Sequence, residues 1–355
     1  MPSNLIVNFS FLLNRPTGIS NYGVNLLPQL QPLNPTLLTS QSFSDYKCYE
    51  IPANQTSEQG AKGHFRRLLW TQLQIPKIYK KLRSHLLFSP IPEAPLFSHC
   101  RFVVMVHDAI PLRFPKAPLT QYFRYYVPSI LAQAEHILCN SNATAQDITD
   151  FFHIPAKKIT SIHLAHDANH FRNLDLPTRN YFLYIGRREP YKNLHRLIDA
   201  FATLANCCDY ELWLAGPSDR RYTPLLMAQV EKLELTANVK FLDYVPYAEL
   251  PTLINQAIAL VFPSLWEGFG LPVLEAMACG TPVITSNISS LPEVTNDAAI
   301  LVNPYKVEEI AEAMQAVVND SGLRDRLRQA GIARSSQFSW EKTGKATVEV
   351  LQKYI

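Results

Sequence analysis

Two glutamates flank a glycine-rich turn in the stretch PSLWEGFGLPVLEAMACGTPVITS, residues 263–286. Glu267 comes just before the turn, and Glu275 lies in the first turns of a helix that Pro272 and Gly280 delimit. Two such carboxylates can accept hydrogen bonds from the hydroxyl groups of a ligand, while the helix N-terminus attracts a phosphate. Capping of the helix by an acidic side chain is the alternative explanation.

The turn between the glutamates lets the backbone approach a ligand closely. Gly268 and Gly270 carry no side chain. The backbone N–H groups of Phe269, Gly270 and Leu271 are expected to face the same space at the start of the helix. Both carboxylates would repel a simple anion, whereas hydroxyl groups beside a phosphate would satisfy carboxylates and amides together. The stretch therefore predicts a site for a sugar nucleotide.

A second cluster of candidate residues is cationic. Residues 181–201, YFLYIGRREPYKNLHRLIDAF, place Arg187, Arg188 and Lys192 between a predicted strand and a helix that begins at about Asn193. Cations at the carboxyl end of a strand, next to a helix N-terminus, form an anion site. The planar fork of arginine and the point charge of lysine suit a diphosphate. A solvated basic turn is the alternative.

A parallel sheet would hold these residues, because short apolar runs alternate with amphipathic segments along the chain. The predicted strands are Leu5–Phe9, Leu86–Phe88, Phe102–Val106, His136–Cys139, Tyr181–Ile185, Glu211–Ala215, Val239–Phe241, Ala259–Phe262 and Val283–Thr285. The predicted helices include Asn193–Leu204, Thr223–Leu233 and Val307–Asn319. The pattern restarts near residues 168–178. We therefore predict an α/β protein with domains at 1–170 and 171–337, and a C-terminal helix within 338–355 that packs on the first domain.

Composition limits the class of protein. The 355 residues are 47% apolar and 18% charged with a net charge of +3, which describes a folded chain too long for one ordinary core. Six cysteines without a C-x-x-C pair predict neither a zinc site nor a redox pair, and they favour a reduced, cytoplasmic setting. No apolar run is long enough to span a membrane, and the first residues resemble a strand and loop rather than a signal peptide.

Several common enzyme motifs are absent from the sequence. It contains no G-x-x-x-x-G-K-[ST], no H-E-x-x-H and no G-x-S-x-G, and no G-x-G-x-x-G follows the first predicted strand. A P-loop nucleotidase, a zinc protease, a serine hydrolase and a nicotinamide-dependent enzyme are therefore not expected.

A basic segment lies between Glu58 and Glu93, where no acidic residue occurs. Its cations are Lys62, Arg66, Arg67, Lys77, Lys80, Lys81 and Arg83, and the apolar residues among them include Leu68, Leu69, Trp70 and Ile75. This composition fits either a membrane-surface patch or a solvated helix face with a few core contacts.

The motifs occur in an order that resembles the retaining glycosyltransferases of family 4. The resemblance covers most of the chain. It rests on TGISNYGVNLL (17–27), VHDAIPLRFP (106–115), CNSNATAQDI (139–148), GRREPYKNL (186–194), LAGP (214–217), VKFLDYVPYAEL (239–250), and the E-x7-E of Glu267 and Glu275 followed by EAMACGTPVITSNISSLPEV. It implies the GT-B fold, in which two Rossmann-like parallel-sheet domains face each other across a cleft.

The resemblance also implies roles for the donor-binding residues. Glu267 and the backbone of 268–271 would hold the hydroxyl groups of the donor sugar, and Glu275 would bind those of the ribose. Arg187 and Lys192 would grip the diphosphate and stabilise its charge as it leaves. Because these cations can do the work of a metal ion, we expect no metal and no cofactor.

Further roles carried by the resemblance concern the base, the reacting carbon and the acceptor. The backbone near Tyr244 and Val245 would frame the base. His107 would lie near the reacting carbon, as a catalytic base or as a hydrogen-bond donor to the sugar. Gly18 would lie near the phosphates and the acceptor.

The expected activity is transfer of a hexose from a nucleotide-diphosphate sugar, with retention of configuration, in polysaccharide or glycoconjugate synthesis. VHDAIPLRFP and SLWEGFGLPVLEAM look most like mannosyltransferase-type members, which favours GDP-mannose; UDP-glucose or another UDP-hexose remains open. The expected acceptor is a glycan or a lipid-linked oligosaccharide. We expect a cytoplasmic protein without a nucleic acid partner, with peripheral contact at the inner face of a membrane through 62–83 left open.

Three other functions on the same fold remain as alternatives. A nucleotide-sugar epimerase would need additional carboxylates near the sugar, which the sequence does not place. A phosphorylase would be much longer and would carry a pyridoxal-phosphate lysine. A non-catalytic binding protein would be expected to have lost Glu267, Lys192 or His107, and all three are present.

One departure from the family pattern precedes the second domain. Family members commonly have P-x-G-V-D there, whereas this chain has HLAHD, with His163 and Ala165 in place of the proline and glycine and with Asp167 kept. The conformation of the linker is therefore expected to differ.

Overall fold

The computed structural model describes residues 4–13 and 18–355 and, within them, gives no side-chain placement for Ser57. Residues 1–3 and 14–17, which include parts of the predicted first loop and the first residue of the TGISNYGVNLL motif, lie outside the described residues. The chain forms two compact units. Unit 1 comprises Met1–Leu164 and Trp340–Ile355, and unit 2 comprises Ala165–Ser339.

Unit 1 is built on a seven-stranded parallel sheet in the order β3-β2-β1-β4-β5-β6-β7. Its strands are β1 (Leu5–Asn8), β2 (Thr36–Thr39), β3 (Lys47–Glu50), β4 (Leu86–Ser89), β5 (Phe102–Val106), β6 (His136–Cys139) and β7 (Ile159–Ser161). The central strands β1, β4 and β5 are buried along their whole length. Helices cover both faces of such a sheet, so these strands are continuous apolar runs.

The helices of unit 1 lie in the connections between its strands. They are α1 (Gly18–Leu30), α2 (Gly60–Leu73), α3 (Ile75–Leu82), α4 (Ile110–Arg113), α5 (Leu119–Gln121), α6 (Val127–Gln133) and α7 (Asn142–Phe152). Ile75 and Ile78 of α3 and Val127 and Ile130 of α6 pack with the strand residues in one apolar core.

Unit 2 is built on a six-stranded parallel sheet in the order β10-β9-β8-β11-β12-β13. Its strands are β8 (Tyr181–Ile185), β9 (Glu211–Ala215), β10 (Val239–Leu242), β11 (Ala259–Phe262), β12 (Val283–Ser286) and β13 (Ile300–Val302). Its helices are α8 (Leu194–Ala202), α9 (Thr223–Lys232), α10 (Leu250–Asn255), α11 (Leu271–Ala278), α12 (Leu291–Thr295), α13 (Val307–Asn319) and α14 (Ser321–Ser335). The predicted α/β class with two parallel sheets is confirmed.

The last helix, α15 (Trp340–Gln352), returns to unit 1 and packs on α1. Thr343, Thr347, Val350 and Leu351 are buried on one of its faces, as the three-to-four-residue spacing requires. The two helices approach closely at Gly344, where a Cβ atom would lie 2.1 Å from Cβ of Gln29. Any larger residue at this position would push α15 away from α1.

Across residues 4–13 and 18–355, no helix combines the length and the apolar character that crossing a membrane requires.

Candidate active site

The acidic and the cationic motifs of unit 2 lie in the loops that follow two neighbouring strands. β8 pairs in parallel with β11, with Phe182 opposite Ala259. Parallel strands end at the same edge of the sheet, so the loop after β8, which contains Lys192, and the loop after β11, which contains Glu267, emerge side by side. The sheet thereby brings together two motifs that are separated by 75 residues in the chain.

Lys192 and Glu267 form an ion pair, with 2.5 Å between Nζ and Oε1. Both side chains are about nine-tenths buried. The ammonium group also lies over the rings of Tyr191 and Phe262, at 5.0 and 5.3 Å from their centroids. A buried charge is stable only when it is paired, so each residue holds the other in place. The pair presents a fixed cation and a fixed carboxylate at the sheet edge.

The loop that carries Glu267 is clamped by two serines that the sequence analysis did not single out. The backbone N–H of Glu267 donates to Ser289 Oγ at 3.0 Å. Ser290 Oγ donates to the carbonyl oxygens of Glu267 and Phe269 at 3.1 and 2.9 Å. Both serines belong to the SNISS segment quoted for the family resemblance, which is the signal that could have identified them. They fix the loop that precedes α11.

The predicted turn residues surround the N-terminus of α11. Gly270 has φ of 105°, where a Cβ atom would meet Leu291 at 2.7 Å, so glycine is needed at this position. Leu271 is the first helical residue, and Gly268 precedes Phe269 in the loop. The Phe269 side chain is buried and makes an edge contact with Phe338, so only the backbone of this residue is available to a ligand.

Glu275 lies one turn into α11 and is partly buried. Within the part of the chain that the structure describes, its carboxyl group has no hydrogen-bond partner. Burial raises the pKa of Glu275 from 4.5 to about 7. A carboxyl group that is partly shielded from water and has gained no donor can accept hydrogen bonds from ligand hydroxyl groups.

The two neighbouring arginines have different environments. Arg187 is exposed, and its carbonyl oxygen accepts a hydrogen bond from the hydroxyl of Tyr184 at 2.9 Å. Arg188 is buried and donates to the carbonyl oxygens of Leu214 and Leu242. Arg188 also pairs with Asp243 at 3.1 Å. Of the two arginines, Arg187 is the one whose charge can reach a ligand. Arg188 instead links the carboxyl ends of β8, β9 and β10.

The loop after β10 contains the residues predicted to frame the base. Tyr244 is 75% exposed, and Val245 is partly buried. The loop is held further along by Tyr247, whose ring stacks on His170 with 3.9 Å between centroids. Burial, together with the charges of Asp167 and Glu275, raises the pKa of Tyr247 to about 12. Glu275 thus acts electrostatically on this loop. His170 is a third residue that the sequence analysis missed, after the two serines, and no sequence signal pointed to it.

His107 belongs to unit 1 and follows β5 directly. Its Nε2 lies 2.9 Å from the carbonyl oxygen of Pro90, and its ring makes an edge contact with Tyr22. Because a carbonyl oxygen only accepts, Nε2 carries the proton and Nδ1 offers a lone pair. Burial lowers the pKa of His107 to about 4, so the ring is neutral at neutral pH. With Nε2 bonded to Pro90, the free nitrogen Nδ1 can accept a hydrogen bond and cannot donate one.

The segment around His107 is fixed by α7. Arg113 forms an ion pair with the fully buried Asp147 of α7. The carbonyl oxygen of His107 accepts a weak bond from Thr144 Oγ1 at 3.5 Å. Gly18, the other predicted residue of unit 1, is the exposed first residue of α1. The predicted site residues thus fall in two groups, His107 and Gly18 in unit 1 and the remaining ten in unit 2.

The divergent HLAHD segment lies at the boundary between the units. His163 closes unit 1 with its carbonyl oxygen, which accepts a hydrogen bond from Thr343 Oγ1 at 2.7 Å. Asp167, the residue kept from the family pattern, accepts hydrogen bonds from the backbone N–H groups of Asn169 and His170. The Asp167 turn therefore persists without the proline and the glycine.

In the described part of the chain, no three or more His, Cys, Asp or Glu side chains are grouped so that they could hold a metal ion.

The two parallel-sheet α/β units have the architecture of the GT-B class, and one of them carries cations and carboxylates at the carboxyl edge of its sheet. Residues 18–170 match the family described as Glycosyltransferase Family 4, and residues 166–334 match Glycosyl transferases group 1. The chain belongs to the family 4 glycosyltransferases, and it is a hexosyltransferase.

Named relatives agree with this assignment. O-antigen chain mannosyltransferase B of Escherichia coli is 33% identical over 70% of this chain and 69% of its own length. O-antigen chain mannosyltransferase RfbU of Salmonella typhimurium is 30% identical over 84% of this chain and 87% of its own length. The solved structure of HepE from Anabaena, in complex with UDP-glucose, superposes with a TM-score of 0.77 at 18% identity and covers 98% of this chain and 99% of that one. At this identity, the likeness to HepE concerns the fold alone.

Proposed function

We propose that this glycosyltransferase transfers mannose from GDP-mannose to a growing glycan or a lipid-linked oligosaccharide, with retention of configuration and without a metal ion. The observation that carries the proposal is the pairing of Lys192 with Glu267 after two neighbouring strands, together with the unpartnered carboxyl group of Glu275 in the helix that follows Glu267. The names of the two bacterial mannosyltransferases, which act in O-antigen synthesis, support mannose as the sugar and a glycan as the acceptor.

The proposed donor domain is residues 171–337, which lie within unit 2. Glu267 accepts hydrogen bonds from the hydroxyl groups of the sugar, and Glu275 accepts those of the ribose. The backbone at Tyr244 and Val245 frames the base. These contacts follow from the acceptor capacity of the two carboxylates and from the shared sheet edge.

Charge stabilisation at the leaving group is the proposed catalytic effect. The diphosphate gains negative charge as the glycosidic bond to it breaks, and Arg187 and Lys192 supply fixed positive charge there. Lys192 is already desolvated and oriented by Glu267, so little reorganisation is needed during the reaction. This role of the two cations is the basis for proposing metal-independent transfer without a cofactor.

The proposed acceptor domain is residues 1–170 together with α15, and all of it except residues 165–170 belongs to unit 1. His107 presents the lone pair of Nδ1 and can accept a proton or a hydrogen bond from a hydroxyl group. Gly18 lies at the start of α1, where the absence of a side chain leaves room for the acceptor and the phosphates. The proposal places the enzyme in the cytoplasm, with peripheral contact at the inner face of a membrane through residues 62–83.

A thermal-shift titration tests the donor assignment directly. The full chain is titrated with GDP, GDP-mannose, UDP and UDP-glucose in excess EDTA. At a hundred times its dissociation constant, a ligand stabilises the fold by about 2.7 kcal/mol. A shift with GDP compounds alone supports the proposal, whereas a shift with UDP compounds replaces mannose by a UDP-hexose. No shift with any nucleotide would overturn the donor site.

The stereochemical part of the proposal needs a product assay. Proton NMR of the first product formed from an α-linked donor reports the anomeric configuration before any equilibration. An α-linked product supports retention, and a β-linked product would contradict it.

A further inference from the structure

Helix α2 exposes an apolar stripe. Phe65, Leu69 and Leu73 are 61%, 46% and 59% exposed. They are spaced four residues apart, which places them above one another on one helix face. Of the apolar residues noted in this segment of the sequence, Ile75 is buried and Trp70 packs against the core, so only Leu69 belongs to the exposed stripe.

A basic cavity continues from the end of this stripe. It has a volume of about 630 Å³ and lies between α3 and the segment 96–100. Its lining includes Leu73, which also ends the stripe, together with Lys77, Lys80, Arg83, His99 and Phe97. Stripe and cavity therefore form one surface.

Phe97 is the most exposed large apolar residue of that surface. Its side chain is 96% exposed, and its φ of 52° lies in the left-handed region. Bulky residues are genuine outliers in this region, where glycine or asparagine is usual. Neither local conformation nor packing explains an aromatic ring at this position, which points to a partner that takes up the ring.

The charge of the surface is of one sign. Glu93 is the only acidic residue between 59 and 100, and it is buried in a two-pronged ion pair with Arg67. The charge of Arg67 is therefore paired inside the fold, and this residue does not contribute to the basic surface that the sequence indicates. In the described residues, the ammonium groups of Lys77 and Lys80 have no ion-pair partner. An anionic surface would complement them.

We propose that this surface binds an anionic phospholipid bilayer, with the phosphate of one headgroup in the basic cavity and with Phe65, Leu69, Leu73 and Phe97 in the headgroup and acyl boundary. An apolar stripe rimmed by cations suits such an interface. The inference rests on the peripheral membrane contact included in the proposed function, and it adds the segment 96–100 and the class of lipid.

The cavity is separate from the residues proposed for transfer. It lies where α3 leads into β4 and where segment 96–100 leads into β5, which are the amino ends of these strands. His107 follows the carboxyl end of β5. The two ends of a strand lie at opposite edges of a sheet, so lipid binding and transfer can be tested independently.

Vesicle sedimentation of the full chain tests the proposal. The protein is mixed with vesicles of phosphatidylcholine alone or with vesicles that also contain phosphatidylglycerol. Each cation at an anionic surface contributes about fivefold to binding, so Lys77→Gln with Lys80→Gln should weaken binding about thirtyfold. Phe97→Asn suits the left-handed backbone and should weaken binding about tenfold through loss of the apolar ring.

Matched variants remove the same groups elsewhere in unit 1. Lys157→Gln with Lys345→Gln removes two exposed cations, and Tyr125→Gln removes an aromatic side chain that is 70% exposed. These controls should bind the anionic vesicles like the unchanged protein. All variants should keep the thermal unfolding midpoint of the unchanged protein and its rate of sugar transfer to a soluble acceptor.

Three outcomes would overturn the proposal. They are no binding to anionic vesicles, equal binding to both kinds of vesicle, and equal weakening by the test and control variants. Binding to anionic vesicles that the Phe97 and lysine variants leave intact would refute the cavity and keep the peripheral contact. Because sedimentation measures no transfer, a failure here leaves the glycosyltransferase activity unaffected.

Discussion

Replacing Glu275 by glutamine should stabilise the free enzyme and impair its function. The pKa of Glu275 is raised from 4.5 to about 7 by burial, and each pH unit of such a displacement corresponds to about 1.4 kcal/mol. Below pH 4.5 the carboxyl group is protonated in the folded and the unfolded chain, so its burial carries no charge penalty. As the pH rises from 4.5 to about 7 the penalty grows, and above that it levels off at about 3 kcal/mol.

Chemical denaturation of the unchanged protein and of Glu275→Gln across this pH range measures the effect. The free energy of unfolding of the variant should exceed that of the unchanged protein by about 3 kcal/mol near pH 8, and the difference should vanish near pH 4. The variant should also raise the KM for the donor about tenfold or more, because a hydrogen bond to a charged acceptor is replaced by one to a neutral amide.

Glu309→Gln is the matched control. Hydrogen bonds from the backbone N–H of Asn303 and from Lys306 lower the pKa of Glu309, so its charge stabilises the fold above the pKa of the unfolded chain and this contribution is lost as the pH falls. The control should therefore show no gain in stability near pH 8. A Glu275→Gln variant without a pH-dependent gain would refute the burial argument, and a gain with an unchanged KM would refute the ribose contact.

Three further predictions concern the transfer reaction. Lys192→Ala should abolish transfer and lower the free energy of unfolding by about 3–5 kcal/mol, because Glu267 is left buried without its cation. The double variant Lys192→Met with Glu267→Gln should recover the stability but not the transfer. Near-normal turnover of either variant would contradict the diphosphate role. Because the pKa of His107 is lowered to about 4, the pH profile of kcat should lack an inflection near pH 6.5, and one that His107→Gln removed would count against a neutral ring. Transfer should persist in excess EDTA, and strict dependence on an added metal would contradict the proposed role of the cations.

The strands that carry the site could be predicted from the sequence because they are buried on both faces. The predicted bounds of Phe102–Val106 and Tyr181–Ile185 agree with the structure. The strand Lys47–Glu50 was missed because it is an edge strand with three exposed residues and no apolar run. An apolar pattern reports burial, so an exposed edge strand leaves little signal.

The contacts within the site could not be predicted in the same way. The pairing of Lys192 with Glu267 depends on the register between two strands, which no local pattern encodes. Arg187 and Arg188 are chemically identical neighbours, and only the packing decides which of them is exposed. The same holds for Arg67, which the sequence presents as one more surface cation and the fold pairs internally with Glu93.

The return of α15 to unit 1 has a consequence for the order in which the chain folds during synthesis. Unit 2 is a continuous segment, so all of its strands have been synthesised when residue 339 leaves the ribosome. Unit 1 must wait for α15, because the face of α1 around Gln29 is covered only once Gly344 and its neighbours are available. Domains generally fold as units and in order of synthesis. In this chain, unit 1 begins before unit 2 and is completed after it, and α1 keeps an uncovered face until α15 has been synthesised.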